Sequence, residues 1–129
     1  MNVAKDDGAY KPEGYTDLSP YLVVANAQAT LDFVAAVFES QPLRVIRNGD
    51  DRIVHAEARI GDTVLMIGEM PDGPESLLHV YVPDPDETYR RAIAAGATEI
   101  EPVRDKEDGD RRGGVSDANR TRWYFARSG

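Results

Sequence analysis

The chain has 129 residues, 41% of them hydrophobic, which suits one globular domain and excludes a disordered chain. The unbroken apolar stretches, such as Tyr21 to Ala25 and Phe33 to Phe38, are far too short for a membrane span, and the lack of cysteine excludes disulfides, a thiolate nucleophile and a cysteine-held metal. Fifteen basic against 23 acidic residues leave a net charge of −8, which disfavours nucleic acid as a partner.

No charged segment followed by an apolar run opens the chain, so no secretory signal is expected and the predicted location is cytoplasmic. Residues 1–14 lack periodicity and read as a flexible arm before a single domain over 15–129. Leu22-Val23-Val24 is a short strand, and Asn26 is placed to cap a helix. Leu31, Val34, Ala35 and Phe38 then share one helical face. Strands are expected over Leu43–Arg47, Ile53–Ile60 and Thr63–Gly68, separated by turns at Asn48-Gly49-Asp50 and Gly61-Asp62. A second round begins with the strand Val80-Tyr81-Val82. Asp84-Pro85-Asp86-Glu87 follows as an N-cap, a first-turn proline and a glutamate set for a capping box. Tyr89, Ala92 and Ile93 form the helical face, and Gly96 stops the helix. Three further strands are expected at Thr98–Val103, Arg111–Ser116 and Thr121–Ala126.

The two rounds share a constant offset. Val24 and Val82, Leu31 and Tyr89, Val34 and Ala92, and Ala35 and Ile93 are each 58 residues apart. Gly61 and Asn119 keep the same spacing, and both residue types tolerate positive φ. The fold class is therefore α+β: two βαβββ modules, over 17–70 and 76–127, forming a cupped mixed or antiparallel sheet.

Strand alternation assigns the faces. Val54, Ala56, Ala58 and Ile60 are expected under the helices, with Ile53, His55, Glu57 and Arg59 opposite. Thr63, Leu65 and Ile67 join the helix side, leaving Val64, Met66 and Gly68 toward the cup. The 58-residue offset then puts Arg111, Gly113 and Val115 toward the cup, with Tyr124, while Trp123 and Phe125 enter the core. The predicted ligand-binding surface is Tyr21, His55, Met66, His79, Tyr81, Arg111 and Tyr124, an aromatic concavity with few polar groups.

The phrases PYLVV, HAEARIGDTVLMIGE, LLHVYVPDPDETYRRAIAAGA and GDRRGGVSDANRTRW fall between residues 20 and 123. In their order and spacing the chain resembles the vicinal oxygen chelate superfamily of glyoxalases, bleomycin-resistance proteins and extradiol dioxygenases, and most closely its PhnB-like branch. It departs from that branch at Asp117-Ala118-Asn119, where Asp-Pro and a glycine-bearing turn are usual. The resemblance implies a cupped sheet built from paired modules and assembly as a homodimer. Metalloenzymes of the superfamily hold a divalent ion with His and Glu from the first and last strands of each module. Those slots fall here on Ser19, Met66, Leu77 and Tyr124, so no metal or other cofactor is expected.

The expected function is metal-independent binding of a small amphipathic molecule, as in bleomycin-resistance proteins, with Arg111 or His79 orienting a polar end. The alternative is an enzyme (lyase, isomerase or dioxygenase) that uses His55 and Glu57 as an acid–base pair or a rearranged metal site including His79. A third possibility is a regulatory module with a vestigial cup. Gly113-Gly114 is not a phosphate loop, since no Lys-Ser/Thr follows it. Neither nucleic acid nor membrane is an expected partner.

Overall fold

The computed structural model describes residues 10–129 and realises both predicted rounds. Module one runs β1 (Tyr21–Val24), α1 (Ala27–Phe38), β2 (Pro42–Arg47), β3 (Ile53–Ile60) and β4 (Thr63–Glu69). Module two runs β5 (Leu77–Tyr81), α2 (Pro85–Ala94), β6 (Thr98–Asp105), β7 (Arg111–Ser116) and β8 (Arg122–Arg127). The sheet orders are β1-β4-β3-β2 and β5-β8-β7-β6, with the first pair of each parallel and the rest antiparallel. Neither described helix is long and apolar enough to cross a membrane. Residues 1–9 of the predicted arm lie outside the described residues.

Both helices start where their caps direct. The Asn26 side chain accepts from the Ala29 amide at 3.0 Å, and Asp84 accepts from the Glu87 amide at 3.1 Å, each cap being worth about 1 kcal/mol. Glu87 does not close the capping box expected from its spacing; its carboxylate pairs instead with Arg90 and Arg91 one turn on. Gly96 takes a φ of 103° just past α2, the left-handed geometry that ends a helix. The paired turns behave differently from each other. Gly61 has φ 59°, but in the second copy Arg120 takes the left-handed position and not Asn119. Asn119 instead accepts from the Asn26 amide at 3.1 Å and donates to the Asn26 carbonyl and Thr30 hydroxyl at 2.8 Å. The β7–β8 turn of one module therefore caps the helix of the other. Glu69, at the end of β4, accepts from the Ala27 amide at the same helix start.

This cross-capping shows how the modules pack. Leu22, Ala56, Leu65 and Ile67 of the first sheet share one core with Val115, Trp123 and Phe125 of the second, and α1 lies between them. Phe33 and Phe38 hold their rings 5.3 and 5.7 Å from that of Trp123, adding about 0.5–1.5 kcal/mol per pair beyond burial. A groove of about 570 Å³ opens where Ile60 and Leu65 face Leu78 and Val80. The helix-bearing faces of the two sheets thus look at each other, and their concave faces look outward, away from each other. The single-chain cup implied by the sequence is corrected accordingly: Tyr21, His55 and Met66 lie on one concave face, and His79, Tyr81 and Tyr124 on another.

Two strand faces also need correction. A bulge where Ile46 pairs His55 and Arg47 pairs Ile53 turns Ile53 into the core at 1% exposure and leaves Val54 outside at 44%. In β7, Val115 pairs Trp123 and Gly113 pairs Phe125, so Arg111, Gly113 and Val115 lie on the helix side. Met66 and Tyr124 keep the 58-residue offset, but their partners Glu57 and Gly114 are 57 apart, because the β7–β8 hairpin is longer by one residue. Arg112 and Gly114 consequently face the concavity in place of Arg111 and Gly113.

Candidate functional site

Strand pairing sets one row of residues across each concave face. In module one, Tyr21 pairs Met66, Met66 pairs Glu57 and Glu57 pairs Arg44, a line across all four strands. In module two the matching line is His79, Tyr124, Gly114 and Glu101.

The first face carries a continuous polar chain. The Tyr21 hydroxyl lies 3.1 Å from His55 Nδ1, and His55 Nε2 lies 2.8 Å from Glu57 Oε2. The other Glu57 oxygen, Oε1, accepts from the Tyr15 hydroxyl at 2.5 Å. Burial of Glu57, whose side chain is 5% exposed, opposes its charge, but donation from Tyr15 and His55 outweighs that cost and holds its pKa below the usual glutamate range. Burial, and then the bond to Glu57, push the Tyr15 hydroxyl up, while the charges of Arg44 and Arg59 pull against them. Tyr15 reaches this position because the segment before β1 is laid over the concave face: Arg59 Nη1 donates to the Gly14 carbonyl at 2.8 Å. Val64, on the same face, is fully buried although it stands apart from the helix-side core, as a residue beneath such a segment must be. Arg44 Nε is shut off from solvent with no acceptor among the described residues. A sealed, unsatisfied donor costs about 1–3 kcal/mol.

The second face is more open. Tyr81 is 65% exposed, stacks edge-on with His79 at 4.9 Å and donates to Asp110 at 3.2 Å. The Asp110 carboxylate raises the Tyr81 hydroxyl above the ordinary tyrosine value. A Cβ on Gly114 would lie 2.6 Å from the Tyr124 ring, so only glycine lets that ring lie flat on β7. Arg112 pairs with Asp108 and Asp110 at this rim.

Arg111, predicted to orient a ligand, is committed elsewhere. On the helix side it grips Asp86 of α2 through Nε and Nη2 at 2.8 and 3.0 Å, and Asp105 through Nη1 at 3.1 Å. That fork ties α2 to β7 and lowers the Asp86 pKa. The structure brings Tyr21, His55, Glu57 and Met66 together on one face and His79, Tyr81 and Tyr124 on the other. Tyr15 and Arg44 escape the sequence reading, Tyr15 because it precedes the first periodic segment. Arg44 lies on an edge strand, and its partner Glu57 can be found only once the bulge in the hairpin is known.

The superfamily's metal slots map onto Ser19, Met66, Leu77 and Tyr124, and the β1–β4 and β5–β8 registers keep the two halves equivalent. A hydroxyl, a thioether, an alkyl chain and a phenol do not make the nitrogen and carboxylate shell that a hard divalent ion requires. Among the described residues no group of three or more His, Asp or Glu stands close enough to hold an ion.

The comparisons with known proteins agree with this architecture. No family model matches the chain. The uncharacterized protein Rv0887c of Mycobacterium tuberculosis is 34% identical over a 120-residue alignment covering 82% of this chain and 71% of the relative. Among solved structures, TioX from Micromonospora sp. ML1 aligns with a TM-score of 0.75 and 25% identity, covering 87% of this chain and 98% of TioX. A glyoxalase/bleomycin resistance protein/dioxygenase family enzyme from Burkholderia phytofirmans PsJN aligns at 0.69 with 19% identity, covering 83% and 94% of the two chains. The chain belongs to one family with the mycobacterial protein, and its fold is that of the glyoxalase/bleomycin resistance protein/dioxygenase family enzyme.

Proposed function

We propose that the protein binds a small amphipathic molecule on its concave faces, in a cleft completed by a second copy of the chain, without the superfamily's usual metal. One observation carries this reading: Tyr21, His55, Glu57 and Met66 gather on a face that the chain's own fold leaves directed away from its core. In each chain β1 and β5 are edge strands whose concave side chains Tyr21, Leu77 and Tyr81 are at least half exposed, as expected of surfaces that meet in a homodimer. The sequence phrases support the PhnB-like branch. The cysteine-free composition suits a cytoplasmic location.

A thermal-shift screen of amphipathic compounds against the full chain tests the reading. A saturable ligand is expected, recovered unchanged after incubation, and Tyr21→Ala or Tyr124→Ala should each weaken it by about 1–3 kcal/mol. Ligand affinity indifferent to both substitutions would place binding elsewhere.

The polar chain supports a second reading, an enzyme in which His55 moves a proton while Glu57 orients it. On that reading His55→Ala abolishes turnover and leaves ligand affinity nearly intact. Affinity lost in step with turnover would make His55 a ligand contact.

A further inference from the structure

We infer that Arg44 and Arg59 form a subsite for an anionic group (carboxylate, phosphate or sulfonate) at the polar end of the ligand, and that Tyr15 holds this subsite closed. The inference deepens the binding reading above and rests on it. In a chain of net charge −8, most arginines can find a carboxylate, as Arg90, Arg111 and Arg112 do. Arg44 and Arg59, on the concave face of module one, have no carboxylate within salt-bridge distance among the described residues, although Glu57 stands in register with Arg44. The two Glu57 oxygens are already engaged by Tyr15 and His55. Two guanidinium groups therefore outnumber one committed carboxylate, and one of their donors, Arg44 Nε, is buried without an acceptor. A planar anion is the acceptor that guanidinium geometry fits best.

The segment over the face occupies that position now. Its Gly14 carbonyl takes a donor from Arg59 and its Tyr15 hydroxyl takes an acceptor from Glu57. These are neutral groups standing against charged ones, and an anion replaces the carbonyl at Arg59 with a stronger partner. Displacing the segment uncovers the face beside Arg44 and frees Arg59 from the Gly14 carbonyl. The aromatic part of the ligand then lies toward Met66 and Tyr21, along the same row of side chains.

Fluorescence titration of the full chain with two dyes that differ in one group tests this. The probes are 1-anilinonaphthalene-8-sulfonate and its uncharged parent, N-phenyl-1-naphthylamine. The sulfonate should bind about tenfold tighter at low salt, as expected of charge-assisted contacts. Arg44→Gln should erase that advantage without altering affinity for the parent dye, whose unchanged binding also reports an intact fold. Arg59→Gln should act in the same direction. Tyr15→Phe, which loses the bond to Glu57, should tighten the sulfonate about threefold or more. Equal affinities for the two dyes, or a sulfonate affinity untouched by Arg44→Gln, would overturn the subsite while leaving the binding reading standing. Unchanged affinity in Tyr15→Phe would overturn the closing role of Tyr15. Failure of either dye to saturate, in wild type and Tyr15→Phe alike, would sink the binding reading itself.

Discussion

Two buried acids show how single residues divide between architecture and site. Asp117 accepts from the amides of Asn119 and Thr121 at 2.9 and 3.0 Å and from the Trp123 indole at 2.9 Å. It thereby shapes the turn that caps α1 and fixes the central ring of the core. Asp117→Ala leaves three donors without their acceptor, and urea denaturation should show a loss of about 2–4 kcal/mol. Glu57 belongs to the site, and its signature is pH. Because its folded pKa is lowered, its stabilising contribution is present above the ordinary glutamate range and disappears as the pH falls through the folded value. The gap in Tm between wild type and Glu57→Gln should therefore be widest near neutrality and close in acid. A gap that stays constant with pH would show that the loss is one of packing rather than charge.

At the scale of the elements, the 58-residue repeat located every strand and helix, since hydrophobic period, caps and turn residues all pointed to the same segments. It failed where the backbone departs from ideal pairing. The bulge at the start of β3 exchanges Ile53 and Val54 between faces, and the longer β7–β8 hairpin does the same for Arg111 and Arg112. No alternation of side chains signals an inserted residue, so a face assigned by offset alone inverts beyond it. The exchange is measurable. Ile53→Ala should cost about 2–5 kcal/mol, whereas Val54→Ala should stay within about 0.5 kcal/mol; a large loss at Val54 would restore the simple alternation. The adjacent glycines of β7 should differ as well. A Cβ at Gly113 meets the Val103 backbone at 2.8 Å, while at Gly114 it meets only the Tyr124 ring, which can swing away. Gly113→Ala should thus be the more destabilising of the two in denaturant melts. Gly114→Ala should chiefly disturb ligand affinity, by lifting Tyr124 off the sheet.

For the whole molecule, the decisive feature is that both sheets spend their apolar helix-side faces on one shared core. Sequence pattern shows which side chains leave that core wherever no bulge or longer hairpin intervenes, because strand alternation is local. Which concave surfaces face each other is a long-range matter, carried by Asn119 reaching the start of α1 and by Phe33 and Phe38 reaching Trp123. Tyr21 and His79, equivalent in the repeat, end on separate surfaces for that reason. On the reading proposed above, a cleft that uses both rows of side chains takes two chains. The most direct test is the solution mass of the full chain, by size-exclusion chromatography with light scattering at micromolar concentration. The account predicts a single species of twice the 14.2 kDa chain mass. A monomer under those conditions would contradict the two-chain cleft and leave each concave face to bind alone.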